Sequence, residues 1–391
     1  MWLRALRLED FRAFASLDVE FGPGLNLLFG PNGSGKTSIL EAVSCVAVSR
    51  SLRGAAESEI VRWGAQGFGV GGDCVEDGRE TTIVLRYQRG GDKDVTVGGE
   101  PLAKLSDLLG VLRVAWFSPE DTAITKGGPA ERRRLVDMAL CQADPSYLAA
   151  LSDYRRALRQ RNEALLGWGP DDESDRVVEA WTEQLVKSGS RVVALRLRFL
   201  PGFGETVSRL HAAIARGDEI ALSYRSAVAR GCAEGPAVAP RDEIPVGATA
   251  GTLPSDAVDE AAVASAFRDA LGRVESEERR RGFTLVGPHR DDIEVRLNGR
   301  PLRSFGSQGQ HRTAAIALKL GEAAALAADG HGVTVLLDDI LSELDDRRAG
   351  RLVELVAGIG QALMTSTRAV AIPSGIPCVA LRVDGGEVTR A

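Results

Sequence analysis

Membrane-spanning length is the first thing missing from this sequence. No stretch approaches the roughly 18 consecutive apolar residues that a spanning helix needs. The N-terminus, MWLRALRLEDFR, puts charges where a secretory leader carries its apolar segment. These absences point to a cytoplasmic chain with no membrane partner. Cysteine is sparse as well: Cys45, Cys74, Cys141, Cys232 and Cys378 are widely separated and odd in number, and no C-x-x-C occurs. Neither a disulfide framework nor a zinc site fits that spacing. Four histidines leave a His-based metal centre little to build from. A basic excess is missing too, since the net charge is -6. A chain that bound nucleic acid over its whole surface would be basic, so any such binding must come from local patches.

What is present is an ordinary globular composition, 44% hydrophobic and 26% charged over 391 residues. That length predicts two or three domains, or one large domain with an insertion. Residues 2–8 alternate apolar and polar, as a half-buried strand does, and residues 24–29 read as a short buried strand. A helical pattern follows from Lys36, with Ile39, Leu40, Ala42, Val43 and Val46 on its apolar face. Residues 67–118 read as strands and turns. From about residue 129 to 200, Arg, Leu, Ala and Glu recur at helical spacing, and helix resumes over about 256–281. Between them, residues 231–254 are rich in Gly, Ala and Pro and read as a mobile loop. The β/α pattern returns at residue 284, with buried strands at 333–337 and 361–365.

Two elements carry phosphate chemistry. Gly30, Pro31, Asn32, Gly33, Ser34, Gly35, Lys36 and Thr37 match G-x-x-x-x-G-K-[ST] between a strand and a helix. Glycines there let successive N–H groups curl around phosphate oxygens, and the helix N-terminus adds partial positive charge. Lys36 would reach the β- and γ-phosphates of ATP, and the Thr37 hydroxyl would bind Mg²⁺. The second element is the buried strand Val333-Thr334-Val335-Leu336-Leu337, which ends in Asp338 and Asp339. Asp338 would hold Mg²⁺, while Asp339 would orient or deprotonate the attacking water.

Between these elements, Ser307, Gln308, Gly309 and Gln310 precede a helical run. Alone, S-x-G-Q is a helix N-cap pattern. Ahead of a double-acid strand it makes a second anion site, one that a single nucleotide site does not require. The order of P-loop, S-x-G-Q and LLDD-I-L-SELD resembles the ABC-type ATPase heads of DNA-repair and chromosome-maintenance proteins. Finer matches resemble the RecF family of bacterial recombination mediators: Phe11-Arg12, FSPED at 117–121, KGGPAERRR at 126–134, QRNEALL at 160–166, VGPHRDD at 286–292 and SQGQHRT at 307–313. Only 271 positions separate Lys36 from Ser307 (307 − 36), so the arm must be short.

The resemblance implies an α/β fold: an ABC-type P-loop ATPase head formed from both chain ends, 1–128 and 284–391, with a mostly helical short-arm domain inserted at 129–283. It implies that ATP is sandwiched between two copies, Ser307 to Gln310 serving the partner's γ-phosphate. Ser342, Glu343, Leu344 and Asp345 take the D-loop place at the dimer interface, and Arg12 joins the ATP-binding residues. Glu120 or Asp121 takes the Q-loop role. The usual switch histidine is replaced by Met364-Thr365-Ser366-Thr367, where a hydroxyl could bind the γ-phosphate. RecF relatives commonly have Gln where this chain has His311, a tolerated helix residue rather than a catalytic one. The implied function is an ATP-dependent clamp on double-stranded and gapped DNA. With RecR and RecO it helps place RecA on single strands in gap repair, replication and the SOS response, and it hydrolyses ATP slowly. Arg132, Arg133, Arg134, Arg155 and Arg156 are the expected DNA contacts, beside further clusters at Arg159 and Arg161 and at Arg279, Arg280 and Arg281. Two alternatives stay open: the ATPase subunit of a membrane transporter, and a module that holds ATP without hydrolysing it.

Overall fold

The N-terminal alternation builds β1 (Trp2–Phe11), which buries Leu6, Leu8 and Phe11 along one side. The computed structural model describes the whole chain except residues 92, 170, 216, 230–242, 247–257 and 371, and the side chains of 243–246. After β1 come β2 (Phe14–Glu20), the apolar β3 (Leu25–Phe29), α1 (Lys36–Val48), α2 (Glu57–Ile60), β4 (Gly67–Glu76), β5 (Arg79–Gln88), β6 (Lys93–Val97), β7 (Glu100–Pro101) and β8 (Arg113–Phe117). The middle of the chain holds α3 (Thr122–Lys126), α4 (Pro129–Ala143), α5 (Pro145–Leu166), α6 (Asp172–Ile214), β9 (Ile220–Arg225), β10 (Glu243–Val246), α7 (Glu260–Arg281), β11 (Asp292–Leu297), β12 (Arg300–Pro301), α8 (Leu302–Phe305) and α9 (Gln308–Ala327). The last part is β13 (Val333–Leu337), α10 (Asp346–Ala357), β14 (Gln361–Ser366), β15 (Cys378–Asp384) and β16 (Glu387–Arg390).

These elements divide into two units. The first joins Met1–Asp121 to Glu322–Ala391 and contains two six-stranded sheets. One is antiparallel, in the order β2-β1-β4-β5-β6-β7. In the other, β15, β3, β14, β13 and β8 run parallel and β16 closes the edge antiparallel. Helix α1 touches strands of both sheets and buries Ile39, Leu40, Ala42, Val43 and Val46 between them. Gln361 ties the sheets together. Its buried amide exchanges hydrogen bonds with both backbone groups of Leu3, at 2.9 and 2.7 Å, and takes the Thr334 hydroxyl at 2.9 Å. The parallel strands end side by side at residues 29, 337 and 366, and the loops that leave these ends carry the site.

The second unit, Thr122–Gly321, packs α4 to α7 around a core that includes Tyr147, Tyr154, Val193, Leu197, Phe203 and Phe267. Its boundaries lie outside the expected 129–283, because α3 and the β11-to-α9 segment pack with the helices. The second β/α block therefore does not start at residue 284. β11 pairs with β9, in a four-stranded sheet ordered β10-β9-β11-β12. Within the 231–254 segment only β10 is described; the remainder of the expected loop lies outside the described residues. Helix α6 also runs further than expected, passing through Pro201. An internal proline removes a hydrogen bond and crowds the preceding turn, yet the buried stripe continues on both sides: Val193, Leu197 and Leu200 before it, Phe203, Val207, Leu210 and Ile214 after it.

Cys45, Cys74 and Cys141 are buried free thiols and Cys378 is a half-buried one, while Cys232 lies outside the described residues. Burial pushes both Cys45 and Cys74 up to about 12, which leaves them unreactive. Among the described residues no group of three or more His, Cys, Asp or Glu side chains could hold a metal, and no helix is long and apolar enough to cross a membrane.

Candidate phosphate site and signature segment

Residues 30–37 connect β3 to α1 and curl through left-handed glycines, with φ 81° at Gly33 and 104° at Gly35. Gly35 is constrained twice. A Cβ there would be strained by the dihedral and would lie 2.5 Å from the Phe14 ring, which supports the loop from below. Gly35 caps α1 without a side-chain hydrogen bond. By contrast α5, α6, α7 and α10 are capped by Asp144, Asp171, Asp259 and Asp345. The first N–H groups of α1 are thus left for something other than a side chain, the arrangement of an anion site.

The polar groups of the loop are arranged in the same way. The buried Lys36 ammonium donates to the carbonyls of Gly30 and Pro31, both at 2.7 Å. Burial lowers its pKa, partly offset by the charges of Asp339 and Asp338. Ser34 Oγ is buried with no hydrogen-bond partner. Such an orphan costs about 1–3 kcal/mol unless a ligand meets it.

Thr37 and Asp338, 301 positions apart, meet here: the Thr37 hydroxyl donates to Asp338 Oδ1 at 2.7 Å. Thr365 Oγ1 donates to the same oxygen at 3.0 Å and accepts the Asp339 N–H at 2.9 Å. In this structure Thr365 therefore positions the acid pair. Burial raises the Asp338 pKa, opposed by the two threonine hydroxyls and by the positive charge of Arg53. Asp339 adopts φ 51°, and its carbonyl accepts the Ser342 hydroxyl at 2.8 Å. The donor set of a hydroxyl and a carboxylate fits a hard cation such as Mg²⁺, which takes one or two carboxylates and leaves positions for water and phosphate. Sequence reasoning missed Arg53. Its only signal was a cation next to a glycine in the polar segment after α1.

Arg12 sits in the turn after β1 with φ 53°. Its Nε and Nη2 each lie 2.7 Å from the fully buried Glu41 carboxylate, and Nη1 donates to the Glu59 carbonyl at 2.8 Å. Three of its five N–H groups are thus committed to the fold. Asp121 Oδ2 accepts the Ser118 N–H at 2.7 Å, whereas Glu120 is exposed. In the 342–345 segment Ser342 and Asp345 are exposed, and Asp345 caps α10 by accepting the Arg348 N–H at 3.0 Å.

In the second unit, Ser307, Gln308 and Gly309 are exposed at the start of α9. Ser307 and Gln310 form a reciprocal capping box. The Ser307 N–H donates to Gln310 Oε1 at 3.0 Å, and the Gln310 N–H to Ser307 Oγ at 3.3 Å. His311 is buried against Thr125 at 3.0 Å, a packing role.

The arginine clusters divide sharply. Arg132 is not a surface cation: it is 5% exposed, held by both oxygens of Asp292 at 2.7 and 3.0 Å and by the carbonyls of Ile124 and Gly127. Arg133 is half-buried and donates to the Asp291 carbonyl at 2.6 Å. Arg161 is buried on Glu278, Thr284 and Thr182. Arg134, Arg155, Arg156 and Arg159 are exposed. Arg279, Arg280 and Arg281 pair with acids on their own helix. Within VGPHRDD, Asp291 is buried and His289 half-buried in the arm core, while Arg290 is exposed.

Residues 2–381 match the family described as RecF/RecN/SMC N terminal domain. A protein of Salinibacter ruber named DNA replication and repair protein RecF is 39% identical over 374 residues, 94% of this chain and 85% of that one. The protein of the same name from Moorella thermoacetica is 36% identical, over 95% and 91% of the two chains. A solved structure of the recombination mediator protein RecF with ATP, of the RecFOR pathway, superimposes with a TM-score of 0.84 at 28% identity and covers 100% of this chain and 97% of that one.

Proposed function

This chain belongs to the RecF family, a DNA replication and repair family with an SMC-type head, and on that premise we propose that it is a cytoplasmic, ATP-dependent DNA clamp that hydrolyses ATP slowly. One observation carries the reading: the Thr37 hydroxyl and the Asp338 carboxylate, from opposite ends of the chain, meet at 2.7 Å beside an uncapped helix N-terminus. In this proposal the N–H groups of 33–37 and the freed Lys36 ammonium bind the phosphates, and Ser34 Oγ gains the partner it lacks. Thr37 and Asp338 hold Mg²⁺, which neutralises phosphate charge when bound. Asp339, fixed through Thr365, orients or deprotonates the attacking water; its short reach fits slow turnover. Arg12 acts as a rim residue near the nucleotide through its uncommitted N–H groups.

Ser307 to Gln310 of one copy face the γ-phosphate of the other, and Ser342 to Asp345 line the contact between copies. Nucleotide that bridges two heads stabilises the dimer by mass action. Arg134, Arg155 and Arg156 are the proposed DNA-backbone contacts, with salt-sensitive binding and little base preference. Arg132, which is buried, and Arg133, which is half-buried and bonded to the Asp291 carbonyl, are withdrawn from that set. RecR and RecO are the proposed partners, and assistance to RecA loading at gapped DNA is the proposed outcome. The transporter alternative falls away with the family. Single-turnover hydrolysis with and without DNA separates the ATPase from a module that only binds ATP.

The test is sedimentation with and without ATP. Lys36→Met should abolish ATP-dependent dimers, and Ser307→Arg should keep monomer ATP binding while blocking pairing. Normal ATP-dependent dimers of Ser307→Arg would refute the shared site.

A further inference from the structure

The capping box at the start of α9 has a third member. Gln310 uses Oε1 on the Ser307 N–H, so its amide nitrogen points the other way. There Nε2 donates to Asp218 Oδ2 at 3.2 Å. Asp218 Oδ1 takes the Asn298 Nδ2 at 2.7 Å. Asn298 is locked in turn. Its Oδ1 accepts the Glu219 N–H at 2.8 Å, its own N–H donates to the Glu219 carbonyl at 2.8 Å, and its φ of 50° holds the turn between β11 and β12. The chain Asn298–Asp218–Gln310–Ser307 thus runs from the β9/β11 sheet to the N-terminus of α9.

We propose that Asp218 is a positioning residue for the signature segment: it fixes the orientation of the Gln310 amide and thereby the placement of Ser307. An ionised carboxylate only accepts hydrogen bonds. It therefore selects the Nε2 end of Gln310, and the Oε1 end is left facing the Ser307 N–H. Without it the amide is free to turn, and its NH₂ group would then face the N–H of Ser307, donor against donor. The box would open, and the exposed Ser307 would lose the conformation that presents its Oγ at the start of α9. The buried His211 bonds to the backbone of Asp218 and not to its carboxylate, which leaves Asn298 and Gln310 as the two side-chain donors that hold the carboxylate.

This inference rests on the shared-site reading above, so Ser307→Arg is assayed alongside. Asp218→Asn keeps the shape but offers one acceptor where two donors converge. It should weaken ATP-dependent dimerisation about tenfold, the value of one charge-assisted hydrogen bond, while ATP affinity of the monomer stays within about twofold. Asn298→Gly suits the left-handed turn and should give a smaller loss in the same direction. It decides the matter by the same readouts if Asp218→Asn misfolds. Amide exchange at Ser307 in the ATP-free monomer should speed up in both variants. Unchanged dimerisation by these variants, with Ser307→Arg blocked, overturns the role of Asp218 alone. Equal losses in monomer ATP binding and dimerisation overturn it too, since the effect then lies in the P-loop unit. Normal dimers from Ser307→Arg overturn both readings.

Discussion

Two regions of this chain bury charged side chains, and they do so in opposite ways. In the first unit Lys36 is 8% exposed and holds only loop carbonyls, Ser34 Oγ holds nothing, and α1 has no side-chain cap. In the second unit Arg196 is 1% exposed and every nitrogen is used: Nη2 on Asp137 at 2.7 Å, Nε on Tyr147 at 3.0 Å and Nη1 on the Pro288 carbonyl at 2.9 Å. Around it Tyr147 donates to Asp137 at 2.5 Å, and Tyr224 donates to Asp291. Burial of charge is common to both regions, so burial does not mark the site. What differs is the pairing: Ser34 Oγ stands unpaired beside an uncapped helix N-terminus, and the Arg196 nitrogens do not stand unpaired. The first region leaves donors free to meet an anion, and the second is a polar core whose arginine is fully paired.

The largest effect should come from breaking the paired core. Arg196→Met leaves Asp291 buried without its ion-pair partner and Asp137 with only the exposed Arg155 at 3.7 Å, and should cost about 3–5 kcal/mol of stability. Urea unfolding measures it, and a loss below about 1 kcal/mol would show that the network is dispensable.

A smaller effect, visible only in acid, is expected from His289. Its Nδ1 faces the Tyr154 hydroxyl at 2.5 Å, and burial pushes it down to about 4 from 6.5. Between those values the unfolded chain takes up a proton that the folded chain refuses. Stability is therefore full above pH 6.5 and falls as the pH drops toward 4, by at most about 3 kcal/mol. Asp291 acts in the opposite sense. Burial raises it to about 6 against the pull of Arg196, so its contribution is lost as pH rises through that region. The comparison of wild type with His289→Gln removes the Asp291 contribution from the difference. The variant should lose less stability than wild type between pH 6.5 and 4, and parallel curves would mean that His289 is already charged in the folded chain.

These two residues also show where the sequence was readable. The P-loop, the double-acid strand and the head made from both chain ends were legible because phosphate chemistry demands fixed residue types at fixed spacing. The inner strands were legible because parallel strands covered on both faces read as continuous apolar runs. VGPHRDD and the 160–166 run stood out equally well as motifs, yet their chemistry turned out to be internal: Asp291 and His289 belong to the polar core, and Arg161 pairs with Glu278. Run composition could not tell Arg132 from Arg134. Helical geometry decides that, since 132 lies on the buried stripe with Leu135 and Val136, and 134 does not. The sheet inside the arm was hidden because β9 and β11 pair across some 70 positions, and short strands carry no record of distant partners. Arg53 and Asp218 were illegible for the same reason, since each acts on a residue remote in sequence.

The smallest effect sharpens the comparison most. Ser34→Ala removes a hydroxyl that has no partner in the ATP-free chain, so stability without nucleotide should hold or rise slightly, by up to about 1 kcal/mol. If the orphan is the vacancy of a ligand site, the same change should weaken ATP binding roughly tenfold, because one hydrogen bond to a charged phosphate is lost. Thermal midpoints measured with and without ATP read both quantities in one experiment. A gain in stability with undiminished ATP affinity would make Ser34 a packing defect, and the contrast between free donors and a paired core would then rest on Lys36 and the uncapped helix alone.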